Sequence, residues 1–184
     1  MPPLSDLDLV RACLSGDRDA HAALLARYRD RIYGFILRMI RNPDDAEDLA
    51  QEVFIKAFRS LSSYDLSRPF HPWLFRIARN AVIDFTRKRK VAFEVIEFDI
   101  SDSAPSVEET VASKLEAETM EKLIAALPLE FREVLLLHLG EGFAYSEIGE
   151  MLGVPVGTLK ARVSRAREML RKRMKSNDEI KGGN

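Results

Sequence analysis

The sequence predicts an all-α protein of two small helical domains joined by a flexible linker, and three observations support this fold class. Apolar residues recur at helical spacing along most of the 184 residues. Only "VAFEVIEFDI", at 91–100, alternates loosely as a strand would. Two basic blocks, with charges of +6 at 68–90 and +7 at 160–175, flank an acidic block of −8 at 91–121. The net charge of −1 argues against a nucleic-acid partner, whereas this uneven distribution favours one.

The first domain, residues 1–90, is expected to contain four helices. Their predicted ranges are 6–15, 18–41, 43–61 and 73–89. Pro43 follows "RN" directly and suits the first position of a helix, where its missing N–H leaves no bond unmade. Each domain has fewer than about 100 residues, so each hydrophobic core is modest.

The linker is assigned to 91–112 because this segment is acidic and contains Ser, Pro and Asp. The second domain, 113–176, is expected to contain helices at 114–127, 130–140, 146–152 and 156–175. Pro128 ends the first of these helices, and Gly140 and Gly142 end the second. Residues 177–184 are predicted to form a disordered tail.

The composition argues against several classes of protein. Cys13 is the single cysteine, so an internal disulfide is excluded and a reducing compartment is favoured. No apolar run approaches the roughly 20 residues that span a bilayer, and no signal peptide is evident. We therefore expect a cytoplasmic protein without membrane insertion. The scattered histidines (His21, His71 and His138) and the lack of a Gly-rich phosphate loop predict no enzyme, metal or cofactor.

A helix-turn-helix is predicted at 144–170, "AYSEIGEMLGVPVGTLKARVSRAREML". Ile148 and Leu152 point inward on a short helix, and Gly149 between them lets a second helix approach closely. Gly153 ends this helix and Pro155 starts the next. Two helices joined by so short a turn, the second of them basic, are typical of DNA-binding proteins.

The second helix has two distinct faces. Its predicted buried stripe is Leu159, Val163, Ala166 and Leu170. The opposite face mixes small residues with long donors, so the backbone can approach base edges and arginine can pair with guanine. This face contains Thr158, Ala161, Ser164, Arg165 and Glu168, with Lys160 beside it, while Arg167, Arg171 and Lys172 are placed to contact phosphates. A merely solvated charged helix is the alternative, which the preceding turn disfavours.

The predicted helix at 43–61 combines carboxylates with an outward isoleucine. Its core stripe is Ala46, Ala50, Val53, Phe54, Ala57 and Leu61. The outer face contains Asp45, Asp48, Glu52, Ile55 and Arg59, with Gln51 at its edge. An exposed isoleucine fits a partner interface, but single exposed apolar residues are also ordinary, so both interpretations stay open.

The predicted helix at 73–89 has a face suited to single-stranded nucleic acid. Its core stripe is Leu74, Ala78, Ala81, Val82 and Phe85. The outward stripe is Trp73, Arg76, Asn80, Ile83, Asp84 and Arg87. An aromatic ring, an amide and cations along one face can stack on unpaired bases and neutralise phosphates. The alternative for Trp73 is that it packs back into the core beside Phe70 and Phe75.

Three long motifs, in order, closely resemble those of bacterial extracytoplasmic-function sigma factors, the small two-domain class of the sigma-70 family. They are "NPDDAEDLAQEVFIKAF", "WLFRIARNAVIDFTRKRK" and "LPLEFREVLLLHLGEGFAYSEIGEMLGVPVGTLKARVSRAR". The resemblance covers about residues 8–175. It implies an alternative sigma factor that binds RNA polymerase core, recognises the −35 and −10 promoter elements and assists strand opening.

The resemblance also implies a role for each surface. Core polymerase, through its β′ clamp helices, would contact Asp45, Asp48, Gln51, Glu52 and Ile55. Single-stranded DNA at −10 would contact Trp73, Arg76, Asn80, Ile83 and Arg87, with a flipped-out base at Asn80. Duplex DNA at −35 would contact Thr158, Lys160, Ala161, Ser164, Arg165, Arg167 and Arg171. The β flap and a separate anti-sigma factor are further implied partners.

Two features depart from the family pattern. Pro69 and Pro72 stand in a loop that is often rich in Gly and Ser, which leaves the preferred −10 base open. Asp84 either repels DNA or holds an arginine. The alternative function is a stand-alone helix-turn-helix regulator of the response type, which would need a receiver domain on a parallel sheet. The sequence contains no series of strands for such a domain.

Overall fold

The structure is a computed structural model that describes the backbone of residues 4–95 and 120–181, and the side chains of residues 4–89 and 120–175. The first domain contains α1 (Asp6–Leu14), α2 (Arg18–Ile40), α3 (Pro43–Ser60), a 3-10 turn (Leu61–Ser63) and α4 (Phe70–Val95). The second contains a helical segment at 120–125, then α5 (Leu129–Leu135), a π-helical turn (Leu136–Gly140), α6 (Tyr145–Leu152) and α7 (Val156–Lys181). No strand occurs within these ranges, so the predicted all-α class is confirmed.

The helix starts in the first domain follow from local capping. Ser5 and Asp8 form a capping box at α1, and Asp17 accepts hydrogen bonds from two backbone N–H groups at the start of α2. Asn42 caps α3 in the same way, with Pro43 at the first helical position as predicted. These caps fix the residues at which the three helices begin.

The core of the first domain consists of the stripes that periodicity predicts. α2 packs against α1, α3 and α4, and α3 also packs against α4. Phe35 of α2 meets Phe75 of α4 at 5.5 Å between ring centroids. The predicted stripe of α3 is fully buried, and in α4 only Phe85 of the predicted stripe is half-buried rather than buried.

Helix lengths differ from the sequence predictions at three ends. α4 begins at Phe70, because Pro72 is tolerated in a first turn whose N–H groups have no intrahelical partner. α4 also continues to Val95, so the predicted linker is wrong for 91–95, and its remainder, 96–112, lies outside the described residues. α7 continues to Lys181, so the predicted disordered tail is wrong for 177–181. The ends of a helix carry weaker sequence signals than its buried stripe, so predicted bounds differ most from the structure at the ends.

The two domains contact each other directly. α4 packs against α6, and α2 packs against α5. The rings of His71 and Phe143 stack with their centroids 4.3 Å apart. Arg79 of α4 binds Glu133 of α5 at 2.6 Å. The second domain therefore lies over the start of α4.

Candidate nucleic-acid and polymerase interfaces

The tight turn between α6 and α7 is built on two glycines. Gly153 has φ of +66°, a left-handed conformation that ends α6. A Cβ on Gly149 would lie 3.0 Å from the carbonyl oxygen of Val154, so the turn can approach only a glycine this closely. The backbone N–H of Val154 also donates to Gly149 O at 3.1 Å. The predicted helix-turn-helix geometry is confirmed.

α7 buries one stripe and exposes the opposite face, as the helical wheel predicts. Leu159, Val163, Ala166 and Leu170 are all buried. Every residue assigned from the sequence to −35 DNA is exposed: Thr158, Lys160, Ala161, Ser164, Arg165, Arg167 and Arg171. Arg162 differs from these cations because it is half-buried and binds Glu130 at 3.1 Å. A continuous basic face is therefore available to a groove.

The wheel missed Tyr145 at the edge of this face. Tyr145 stacks on His138 at 4.1 Å and lines a shallow groove with Lys160, Ser164 and Arg167. Glu168 lines the same groove and binds Lys172 at 2.9 Å. The hydrogen bond from Lys172 lowers the pKa of this exposed carboxyl. The helical periodicity of α7 cannot identify Tyr145, because this residue lies on α6.

The exposed face of α4 contains Arg76, Asn80 and Arg87, and Ile83 on the same face is half-buried. Asp84 binds Arg87 at 3.1 Å, so this carboxylate holds an arginine, one of the two possibilities that the sequence left open. Arg79, which the sequence reading did not assign to DNA, is paired with Glu133 beside Asn80.

Trp73 lies at the base of this face and packs against its own domain. Its ring centroid is 5.0 Å from that of Tyr64 and 5.4 Å from that of Phe70. The side chain is half-buried and also lines a cleft with Pro69, Pro72 and Arg76. Trp73 therefore packs on Phe70, as the alternative expected, and a DNA contact by its open edge stays a prediction.

The outer face of α3 is a mixed acidic and apolar surface. Asp48, Gln51, Glu52 and Ile55 are exposed, with Ile55 at 50%. Asp45 is half-buried instead and binds Arg89 of α4 at 3.3 Å. Asp45 is therefore less available to a partner than the other four.

An apolar groove between α2 and α3 enlarges this surface. It is lined by Gln51, Phe54 and Ile55 from α3 and by Leu25 and Tyr33 from α2. Leu25 is 38% exposed and, together with Ile55, makes the apolar surface of this groove continuous across the two helices. The spacing of Leu25, Arg29 and Tyr33 at every fourth residue is the sequence signal that could have identified the α2 side.

Among the described helices, none is long and apolar enough to cross a bilayer.

Two family descriptions match this chain in the order of its domains. Residues 24–91 match "Sigma-70 region 2", and residues 117–170 match "Sigma-70, region 4". The first range holds the α3 and α4 faces, and the second holds the helix-turn-helix. A region 2 and a region 4 in one chain define a transcription initiation factor of the sigma-70 type.

Relatives narrow this class. The ECF RNA polymerase sigma factor SigW of Bacillus subtilis is 36% identical over 178 residues, which are 90% of this chain and 95% of that protein. The RNA polymerase sigma-H factor of Pseudomonas aeruginosa is 35% identical, over 91% of this chain and 92% of that protein. The chain belongs to the extracytoplasmic-function sigma factors of the sigma-70 family.

Two solved structures have the same fold over most of the chain. The sigma factor RpoE of Bartonella quintana, in complex with the anti-sigma factor NepR, has a TM-score of 0.72 and 28% identity over 84% of this chain and 96% of that chain. CnrH, in complex with the cytosolic domain of CnrY, has a TM-score of 0.71 and 26% identity over 93% of this chain and 97% of that chain. In both of these solved structures the matched protein is in complex with another protein.

Proposed function

We propose that this sigma factor divides promoter recognition between two exposed faces, on α4 and α7, and binds core polymerase through a third face, on α3. The single observation that carries the proposal is the outward basic face of α7 behind a fully buried stripe. Because the stripe is held in the domain core, the face is rigid, and a rigid helix in the major groove can read base edges. We assign the −35 element to this face.

The −10 element is assigned to the α4 face. Asn80 and Arg76 are exposed there, and the aromatic cluster around Trp73 lies one turn away. An amide can hydrogen-bond an unpaired base, and arginine can neutralise the backbone of a single strand. This face therefore acts after the strands separate, while α7 acts on the duplex.

Core polymerase is assigned to the α3 face and the neighbouring groove. Ile55 and Leu25 offer apolar contact, and Asp48 and Glu52 surround them with negative charge. An apolar centre with a charged rim is the usual composition of a protein interface. The expected contact is with the β′ clamp helices, and a contact of the second domain with the β flap is proposed in addition.

We further propose that the protein acts in the cytoplasm without catalytic activity of its own and is held inactive by an anti-sigma factor. The complex of RpoE with the anti-sigma factor NepR supports the last point. A stand-alone helix-turn-helix regulator is not favoured, because residues 24–91 match region 2 of sigma factors.

A polymerase capture assay tests the core assignment. Ile55→Asp should weaken binding to core polymerase by about tenfold or more, because a buried unpaired carboxylate costs more than ~1.4 kcal/mol. Leu14→Asp is the matched control, since Leu14 is 44% exposed on α1, away from the groove. Equal binding of both variants would remove α3 from the interface.

A further inference from the structure

Asp84 is a carboxylate on the face of α4 that is proposed to bind the −10 strand. It lies one turn after Asn80, and Arg87 lies nearly one turn further on. Positions 80, 83, 84 and 87 therefore form one stripe along the helix. Asp84 is exposed on this stripe. A carboxylate with no other role at this place would repel the phosphates of a bound strand.

The carboxylate of Asp84 is paired within its own helix. Arg87 Nη2 donates a hydrogen bond to Asp84 Oδ1 at 3.1 Å. The Arg87 side chain is 73% exposed and that of Asp84 is 54% exposed. An exposed pair at this spacing adds little to stability, because water already solvates both charges. α4 is held in the first domain by its buried stripe, so the pair is not needed for the fold.

The hydrogen bond orients the Arg87 guanidinium and leaves most of its donors unused. Arginine presents several N–H groups in a rigid planar fork. Among the contacts of the described residues, the side chain of Arg87 uses Nη2 alone. The rest of the fork can bind a phosphate group through two hydrogen bonds. A guanidinium that is already oriented loses less side-chain entropy when DNA binds than a freely rotating one does.

Arg76 is a second exposed arginine on the same face, and it provides a comparison. Glu147 and Glu150 line the cleft beside it, but Glu150 pairs with Arg68 instead, at 3.6 Å. No carboxylate among the described side chains forms an ion pair with Arg76. The two arginines therefore differ in one respect that can be tested, since only Arg87 is held by a neighbouring carboxylate.

We propose that Asp84 is a positioning residue, which orients Arg87 to bind a backbone phosphate of the −10 strand next to the base held at Asn80. The inference rests on the proposed −10 role of α4. Asn80 and Arg87 are separated by about 10 Å along the helix axis, so one short segment of single strand can contact both. Asp84 acts through Arg87 and does not touch the DNA.

A double-mutant cycle in assembled holoenzyme tests this role. The measured quantity is the affinity for a promoter with a pre-melted bubble, which reports contacts to the unpaired strand. Asp84→Asn removes the charge and keeps the shape of the side chain. We expect it to weaken binding by about three- to tenfold, because Arg87 must then be ordered by the DNA. Simple repulsion by Asp84 predicts the opposite sign.

The cycle identifies the residue through which Asp84 acts. In an Arg87→Ala background, Asp84→Asn should cause no further loss, because the arginine that it orients is absent. In an Arg76→Ala background the same substitution should keep its full effect. Asp84→Glu retains a carboxylate within reach of Arg87 and should recover part of the affinity.

Asp19→Asn is the matched control, since it removes one exposed carboxylate from another helix of the same domain, α2. It should bind the bubble promoter as wild type does. Urea unfolding of Asp84→Asn should also resemble wild type, because the pair is exposed. A normal unfolding curve combined with weaker binding separates a positioning role from a structural one.

Three results would overturn the proposal. Asp84→Asn could bind more tightly than wild type, which would mean that the carboxylate repels the strand. The loss could be the same with and without Arg87, which would mean that Asp84 contacts DNA directly. Asp84→Asn could also bind normally while Arg87→Ala binds weakly, so that Arg87 would need no positioning.

Failure of the −10 assignment itself has a different signature. In assembled holoenzyme, Asn80→Ala should impair opening of a duplex promoter, and a pre-melted bubble should partly restore activity. If Asn80→Ala and Arg87→Ala both opened the duplex promoter normally, α4 would have no −10 role and the positioning role would fail with it. A defect in both of these variants with no effect of Asp84→Asn would refute the positioning role alone.

Discussion

His71 is a neutral base enclosed between the two domains. Burial, followed by the charge of Arg31, lowers the pKa of His71 from 6.5 to about 4, while Asp6 acts in the opposite direction. Arg31 comes from α2, Asp6 from α1, and Glu141, at 3.9 Å from Nε2, from the second domain. Since Nε2 lies 2.8 Å from the Arg31 guanidinium, the ring accepts a hydrogen bond in its neutral form.

The pH dependence of stability follows from this shift. Because the folded-state pKa of His71 lies below its ordinary value, the unfolded chain binds the extra proton, and stability is lost as the pH falls from 6.5 towards about 4. His71→Gln should therefore reduce the slope of Tm against pH in that window, as measured by circular dichroism. Equal slopes for this variant and wild type would contradict the assigned role of His71.

Arg165 and Arg171 differ in position along α7. Arg165 lies opposite the buried stripe, and Arg171 lies six residues later, where a straight helix leaves the groove. Arg165→Ala should cost about 1–3 kcal/mol and relax the preference at one −35 position. Arg171→Ala should weaken binding evenly across sequences and reduce the salt slope by roughly one unit. Both effects can be measured by letting promoters with different −35 sequences compete for holoenzyme at two salt concentrations. If Arg171→Ala changed the base preference and Arg165→Ala did not, α7 would be rotated differently on DNA.

At the scale of elements, the α6–α7 turn depends on the missing side chain of Gly149. A methyl group there would meet the Val154 carbonyl at 3.0 Å, and this backbone atom can move only by opening the turn. Gly149→Ala should therefore destabilise the second domain by about 1–3 kcal/mol and reduce −35 binding. Gly157→Ala is the matched control, because nothing lies within 4 Å of its added Cβ and alanine favours a helix by up to about 1 kcal/mol. In urea unfolding, the free energy of unfolding should be lower than wild type for Gly149→Ala and higher for Gly157→Ala. Equal values for the two variants would contradict the close approach of the Val154 carbonyl to Gly149.

α4 belongs to the first domain and also contacts the second. One side of α4 is buried in the first domain through Leu74 and Ala78, and another presents Asn80 and Arg76. Arg79 lies between these two sides and forms an ion pair with Glu133 of the second domain. A single helix can therefore contribute to the core, to the proposed −10 face and to the contact between the domains, because each uses a different side of it.

For the whole molecule, the separation of charge predicts that binding to a promoter depends on polymerase. The block of −8 at 91–121 opposes phosphate attraction in the free chain. We expect the full-length chain alone to bind a promoter duplex weakly and no better than one with scrambled −35 and −10 elements. Addition of core polymerase should produce a clear preference for the intact promoter over the scrambled one, as measured by electrophoretic mobility shift. Tight sequence-specific binding without polymerase would be the opposite result.

The sequence by itself determined the all-α class, the inward stripes and the turn of the helix-turn-helix. These features are local, since helical periodicity and the steric needs of Gly149 and Gly153 act within a few residues. The exposed faces of α3 and α7 follow directly, because the side of a helix opposite its buried stripe meets solvent. The ends of helices were less predictable, as α4 and α7 show, because a helix end is specified by a few residues whereas a buried stripe repeats over several turns.

Only the tertiary structure decided which outward groups are available and which are paired. Trp73 packs on Tyr64, Asp45 binds Arg89, and neither follows from a helical wheel. Arg79 and Glu133 are 54 residues apart, as the numbering shows, and no pattern in the sequence connects them. The physical reason is that such contacts depend on how separate helices dock. Docking is set by the combined shape and charge of both surfaces, whereas periodicity describes one helix at a time.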